Sequence, residues 1–317
     1  MSLALLFSPQ GSQTVGMGRD LALAEPDAAA VFERADEILG WSVSDLCWTG
    51  PADTLNDTRQ TQPCLLTTSL AALRALEVRG PVRPAFVAGH SVGEYAALVA
   101  AGVLSGDAAL RLVARRGALM GSAGDGGGMA AVIGLERDVV QGVVDAVGRP
   151  TQLVVANDNA PGQVVISGMR DVLREVEAAL REAGARRVIA LPVSGAFHSP
   201  LMAPVAEELA SAFTAETWHD ALVPVVSNVT AEPHTDADRI RTLLTEQVRS
   251  PVEWVRSIER LVADGVDTFV EVGAGSALVN MVRRIAPRVR AMAVNDAASL
   301  DDATRALGLR RGATVGS

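Results

Sequence analysis

The feature that most narrows what this chain can fold into is the run Ala85-Phe86-Val87-Ala88-Gly89-His90-Ser91-Val92-Gly93-Glu94. It reads as a short buried strand, a sharp turn, and a helix opening at Glu94 and continuing through Ala101. Gly89, Ser91 and Gly93 form the spacing G-x-S-x-G, a nucleophile elbow. The turn holds its central residue in a strained backbone conformation, and only glycine on both flanks lets strand and helix pass so closely. Ser91 then stands where a strand ends and a helix begins, and the free N–H groups of that helix favour negative charge. An ordinary strand-to-helix turn is the plainer alternative. The position of the pentapeptide, between an apolar run and a helix, favours the nucleophile.

Composition sets outer limits. At 317 residues and 49% hydrophobic content, the chain can bury a large core, and 3% aromatic content means that core is mainly Ala, Val and Leu. The basic residues are all Arg, so Schiff-base and lysine-nucleophile chemistry are excluded. A net charge of −9 argues against a general nucleic-acid or anionic-membrane binder, and leaves room for a local basic patch. Two cysteines, Cys47 and Cys64, are too few for a disulfide framework. No H-x-x-x-H, H-E-x-x-H or C-x-x-C is present, so no metal site is expected. Met1–Phe7 lacks a basic start and reads as a first strand, not a signal peptide. No apolar run reaches the ~20 residues of a membrane span. A cytoplasmic monomer is the expectation.

The polar loop Ser8-Pro9-Gln10-Gly11-Ser12-Gln13 leaves the first strand at the end where α/β folds place functional groups. A helix is expected over 26–39, a turn over 53–58, a helix over 64–78 with Pro63 at its start, and another over 105–120. Gly124-Asp125-Gly126-Gly127-Gly128 reads as a linker. Beyond it come strand 129–133, helix 136–147, strands 152–156 and 163–167 around a turn at 157–162, helix 169–183 and strand 187–191. That order is βαββαβ, a ferredoxin-like unit. Helices at 200–214, 237–248 and 251–263 follow, with strands at 223–226 and 268–272, a helix from Ala277, and a fraying tail after Leu307. The fold class is therefore α/β: an α/β-hydrolase-like parallel-sheet core over 1–125 and 195–317, with a ferredoxin-like small domain inserted at 126–194.

A serine hydroxyl needs a base. Of His90, His198, His219 and His234, the first reads as packed structure, the third lies in a polar stretch and the fourth in a turn. His198 directly follows a strand, where loops gather around a site, and is the candidate base. In helix 105–120, Ala109, Val113, Gly117 and Met120 form the inward stripe and Arg116 sits at its edge. A buried guanidinium must find an anion. Two readings stand: Arg116 grips a substrate carboxylate, or it pairs with a core Asp or Glu. Gly273-Ala274-Gly275-Ser276 is half of a dinucleotide fingerprint without its third glycine or its acidic partner, and is discounted.

Taken together these residues resemble the malonyl-CoA:acyl carrier protein transacylases of fatty acid synthesis and the related acyltransferase domains of polyketide synthases. The resemblance covers nearly the whole chain. It is carried by Gln10-Gly11-Ser12-Gln13, Thr61-Gln62-Pro63, Gly89-His90-Ser91-Val92-Gly93-Glu94 and Arg116-Gly117. Further on it includes Asn159-Ala160-Pro161-Gly162, Ser194-Gly195-Ala196-Phe197-His198-Ser199-Pro200, Ser227-Asn228-Val229-Thr230, and Gln247 before Ser250-Pro251-Val252-Glu253-Trp254. It implies that Ser91 is the acylated nucleophile and His198 its base, with the Gln247 carbonyl orienting the imidazole in place of a carboxylate. Gln10 and the Val92 N–H would form the oxyanion hole. Arg116 would hold the malonyl carboxylate, with Gln62 lining the pocket. Val92 and Ala196-Phe197-His198 fit the family's malonyl pattern. One departure is Pro9, which stands where the family has glycine; proline fixes φ near −65°, so a loop using positive φ at that point would differ here.

The resemblance implies malonyl-CoA and acyl carrier protein as partners, with no cofactor beyond the coenzyme A and phosphopantetheine the substrates carry. Arg186-Arg187 and Arg283-Arg284 are candidate contacts for an acidic carrier. The alternatives are a stand-alone polyketide acyltransferase, a thioester hydrolase, which would place a triad carboxylate ahead of the histidine, and a non-catalytic carrier-binding protein.

Overall fold

Leu3, Leu5 and Phe7 alternate with Ala4 and Leu6, and alternate residues of a strand face opposite sides. In the computed structural model, which describes residues 2–123 and 126–310, both sets are buried, in separate apolar clusters on the two sides of one sheet. A strand covered on both faces belongs inside a parallel sheet. Among the described residues the ten strands are β1 (Leu3–Phe7), β2 (Phe86–Gly89), β3 (Gly127–Ile133), β4 (Leu153–Ala160), β5 (Gln163–Met169), β6 (Arg187–Ala190), β7 (Val225–Val226), β8 (Pro233–His234), β9 (Thr268–Val272) and β10 (Arg290–Val294).

The larger sheet has the order β10-β9-β1-β2-β7-β8. All its pairings are parallel except β7 with β8. Phe7 is level with Gly89 on one side and with Val272 on the other. The loops that follow all three strands therefore leave from one edge of the sheet, where open α/β sheets place their ligands. The smaller sheet is antiparallel, in the order β4-β5-β3-β6. One of its faces, including Ala130, Val132, Val155 and Ile166, packs on helices Arg137–Val147 and Arg170–Glu182. Met129 and Val165, of the opposite parity, join the larger core and wall a cavity beside Ser91.

Several helices begin where a side chain caps them. Asp57 accepts from the Arg59 N–H and starts a helix over Thr58–Val78, so Pro63 lies inside it and not at its start. The cap, absent from the expectation of a start at Pro63, holds a first turn that proline does not need to begin. The stretch 53–58, expected as a turn, overlaps the short helix Ala52–Leu55 and ends at Thr58, the first residue of the next helix. The helix expected over 105–120 spans Gly106–Ser122, with Ser105 just outside it as its cap.

Other boundaries moved for tertiary reasons. Asn157–Ala160, expected as a turn, continues β4, because those residues pair with β5 across bulges and Asn157 also bridges to Val252. Only Pro161-Gly162 remains to turn the hairpin. Gly127 and Gly128, expected as linker, are in β3, while Gly124 and Asp125 lie outside the described residues, as do positions 311–317 of the expected fraying tail. His234 is in a short edge strand. Strand β10 and the helix Ala297–Leu307, which the sequence reading left unassigned, extend and cover the far edge of the larger sheet. No helix among the described residues is long and apolar enough to cross a membrane.

Candidate active site

At the end of β2 the backbone turns sharply, with Ser91 at φ 53°. A methyl group on Gly89 would meet the Gly93 carbonyl at 2.0 Å, and one on Gly93 would meet the Phe7 carbonyl oxygen at 2.2 Å. Both contacts are backbone and cannot give, which is the steric demand read in the G-x-S-x-G spacing. Asn228 holds the turn from outside. Its Oδ1 accepts from the Ser91 N–H at 2.7 Å, and its Nδ2 donates to the Gly89 carbonyl at 2.7 Å.

His198 reaches the same point from the far end of the sequence. Its Nε2 lies 2.8 Å from Ser91 Oγ, and its Nδ1 lies 2.8 Å from the Gln247 carbonyl oxygen. A carbonyl only accepts, so Nδ1 carries the proton and Nε2 is left to accept from the serine hydroxyl. His198 is itself held at φ 57°. Burial and the nearby Arg116 guanidinium push its pKa down to about 3, so the imidazole is neutral at rest.

Arg116 is 1% exposed. Its Nη1 donates to Gln62 Oε1 at 2.7 Å, and its Nη2 donates to Ser91 Oγ and to Gln247 Oε1, each at 3.1 Å. Its Nε is buried without a partner. Among the described residues no carboxylate is in ion-pair contact with it. The core Asp or Glu that one reading of the sequence required is therefore absent from its contacts. The guanidinium stands beside Ser91 with neutral partners only, which is an arrangement suited to receiving an anion.

Gln62 is fully buried and lies behind the cavity wall, with its Nε2 3.4 Å from Met120 Sδ. The cavity itself is about 210 Å³ and is lined by Ser91, His198, Gln10, Met129 and Phe197, among others. The Gln10 side-chain amide donates to Thr58 Oγ1 at 3.0 Å, so it is already engaged. The loop that carries it closes with a Ser12 N–H to Pro9 carbonyl bond of 3.3 Å, and positive φ falls on Gly11. Val92 precedes the first residue of the helix Gly93–Ala100, at a helix N-terminus that favours negative charge.

His90 is packed structure. Its Nε2 is 2.7 Å from Asn159 Oδ1, its ring lies against Trp254, and burial lowers its pKa to about 4. His219 is exposed, and His234 contacts Thr230 Oγ1 at 3.1 Å, away from the serine. Two residues to which the sequence reading gave no role belong to the site's support: Asn228 and Glu94. Glu94 is 2% exposed, and its Oε2 accepts from Gln247 Nε2 at 2.7 Å and from the Asn228 N–H at 3.2 Å. A lone acid in an otherwise apolar helix opening marks Glu94 as unusual but not what it binds, since its partners Gln247 and Asn228 lie more than a hundred positions away.

This geometry can activate a serine hydroxyl, hold an acyl ester on it and bind a carboxylate next to that ester. The comparisons with known proteins agree. The acyl transferase domain model matches residues 4–313. The malonyl CoA-acyl carrier protein transacylase of Bacillus subtilis strain 168 is 43% identical over 308 residues, which are 96% of this chain and 97% of that protein. The Escherichia coli K12 protein of the same name is 41% identical over 299 residues, 94% of this chain and 97% of its own. The solved structure of the acyl-carrier-protein S-malonyltransferase from Bartonella henselae superposes with a TM-score of 0.94 at 39% identity, over 98% of this chain and 100% of that one. A type II PKS acyl-carrier protein in complex with its malonyl-transacylase gives 0.93 at 38% identity, over 96% and 100%.

Proposed function

The chain belongs to the acyl transferase domain family, and from that premise we propose that it carries a malonyl group from malonyl-CoA to the phosphopantetheine thiol of an acyl carrier protein. The observation that carries the choice of malonyl is Arg116, a buried guanidinium without a carboxylate partner among the described residues, 3.1 Å from Ser91 Oγ. An acetyl group would leave it unpaired, whereas a malonyl group pairs with it.

The reaction runs in two halves. His198 Nε2 takes the Ser91 proton as Oγ attacks the thioester carbonyl. The carbonyl oxygen becomes an oxyanion, held by the Val92 N–H and by the backbone N–H of Gln10, whose side chain is engaged elsewhere; a donor of this kind contributes about 2.7–4 kcal/mol. The C–S bond breaks, the imidazolium returns its proton to the coenzyme A thiolate, and malonyl-Ser91 remains. The carrier's thiol then gives its proton to His198 and attacks the ester, and Ser91 recovers a proton as it leaves. The kinetics are ping-pong. The malonyl carboxylate also removes one of the causes that depress His198, because it neutralises Arg116.

His198 leans on a backbone carbonyl, where the hydrolase reading required a carboxylate. A stand-alone polyketide acyltransferase uses the same half-reactions, and the likeness to a malonyl-transacylase seen with a type II PKS carrier keeps it as the second reading. We read the small antiparallel sheet and its two helices as the ferredoxin-like unit, 126–194, and the rest as a hydrolase-like core, supported by the strand order.

Intact-protein mass spectrometry tests the proposal. Malonyl-CoA is expected to add one malonyl group, Ser91→Ala to add none, and holo acyl carrier protein to discharge it. Arg116→Ala is expected to slow malonyl loading on the order of 100-fold relative to acetyl, the value of charged hydrogen bonds lost. Release of coenzyme A without an adduct or transfer would favour the hydrolase.

A further inference from the structure

A guanidinium removed from water without compensation is strongly destabilising, yet Arg116 is 1% exposed and touches no carboxylate among the described residues. A chain of two hydrogen bonds leads from it to an anion. Arg116 Nη2 donates to Gln247 Oε1 at 3.1 Å, and Gln247 Nε2 donates to Glu94 Oε2 at 2.7 Å. The direction of this chain is fixed by its ends, since guanidinium only donates and ionised carboxylate only accepts. The same Gln247 amide donates to the Ser91 carbonyl at 2.9 Å, and the same Glu94 oxygen accepts from Asn228, which grips the elbow.

We infer that Glu94 is the counter-charge of Arg116, held one amide away by Gln247, and that this separation sets how strongly the site prefers a carboxylated acyl group. A carboxylate in direct contact would occupy the guanidinium and compete with the substrate. A carboxylate at one remove lowers the cost of burying the charge and leaves the face toward Ser91 to an incoming carboxylate. It also moderates the attraction, so that the malonyl ester is bound without being trapped before transfer. Glu94 touches no reacting atom; it acts on selectivity through Gln247 and Arg116.

The inference rests on the reading of Arg116 as the partner of the malonyl carboxylate. Its test compares loading kcat/KM for malonyl-CoA and acetyl-CoA in the full-length enzyme, in low-chloride buffer, for the wild type, Glu94→Gln and Arg116→Ala. Removing the counter-charge is expected to raise the malonyl-to-acetyl ratio roughly tenfold in Glu94→Gln, the scale of one charge acting at this range in a protein interior. A purely structural role would change both substrates together and leave the ratio alone. The wild-type ratio provides a second readout that needs no variant. Burial raises the Glu94 pKa to about 7. The ionisable groups around it hold one state across that range: Arg116 stays charged, Tyr95 is pushed up by burial, and His90 and His198 are neutral at about 4 and about 3. The wild-type ratio should therefore rise as pH falls from 8 to 6, and acetyl-CoA controls for the coenzyme. A Glu94→Gln ratio that is unchanged or lower overturns the inference. If Arg116→Ala keeps the wild-type ratio, it is the reading of Arg116 that fails.

Discussion

Neutral imidazole is expensive to protonate inside this protein. His90 is held near a pKa of 4 by burial, against an ordinary 6.5. A lowered folded value means the unfolded chain binds the proton first as the pH drops. The stability tied to His90 is thus fully present above pH 6.5 and is lost as pH falls toward 4. Between pH 7 and pH 5 that loss is about 2 kcal/mol by the shift alone. His90→Gln, which can keep the bond to Asn159, should show a smaller fall in melting temperature over that interval than the wild type. Equal falls would mean that His90 does not drive the acid response. Buried carboxylates such as Glu94 and Glu271 are shifted upward and act in the opposite sense, so the comparison with the variant isolates the histidine.

The strand–turn–helix from Phe86 to Ala100 is the element in which sequence and structure agree most closely. Its demand on Gly89 is local, a contact of 2.0 Å with Gly93, while Gly93 is pinned at 2.2 Å by the Phe7 carbonyl of the neighbouring strand β1. Gly93→Ala should therefore destabilise the fold by roughly 3 kcal/mol or more, as overpacking against immovable backbone does, and abolish loading; thermal melting and the mass assay check both. Elements whose limits depend on distant partners were less legible. Asn157-Asp158-Asn159 has turn composition, yet its backbone is claimed by β5 and Val252. Pro63 has the look of a helix start, but the cap at Asp57 lies six residues earlier in the chain and decides the matter. Gln247 and Arg116 came from resemblance and helical spacing; the acid at Glu94 stands out in its apolar helix, but its role is not legible there because its partners lie more than a hundred positions away.

Across the whole molecule the two sheets bring together groups from distant parts of the chain, and the small sheet closes the cavity with Met129 and Val165. In the sequence His198 stands out chiefly because there are few histidines; the fold explains it, since the loop before Pro200 brings its Nε2 within 2.8 Å of Ser91 Oγ at the end of β2. The non-glycine residues at positive φ are Ser91, His198 and Ala231 among those described. Two of the three are Ser91 and His198, the pair proposed to react. A left-handed backbone costs an ordinary residue about 1–2 kcal/mol that glycine escapes. Ser91→Gly should consequently melt above Ser91→Ala, both being inactive, and an equal or lower melting temperature would show the turn to be relaxed. Evolution toward greater heat resistance would then meet a local obstacle: at two of these three positions, relieving the backbone means replacing a residue the site uses.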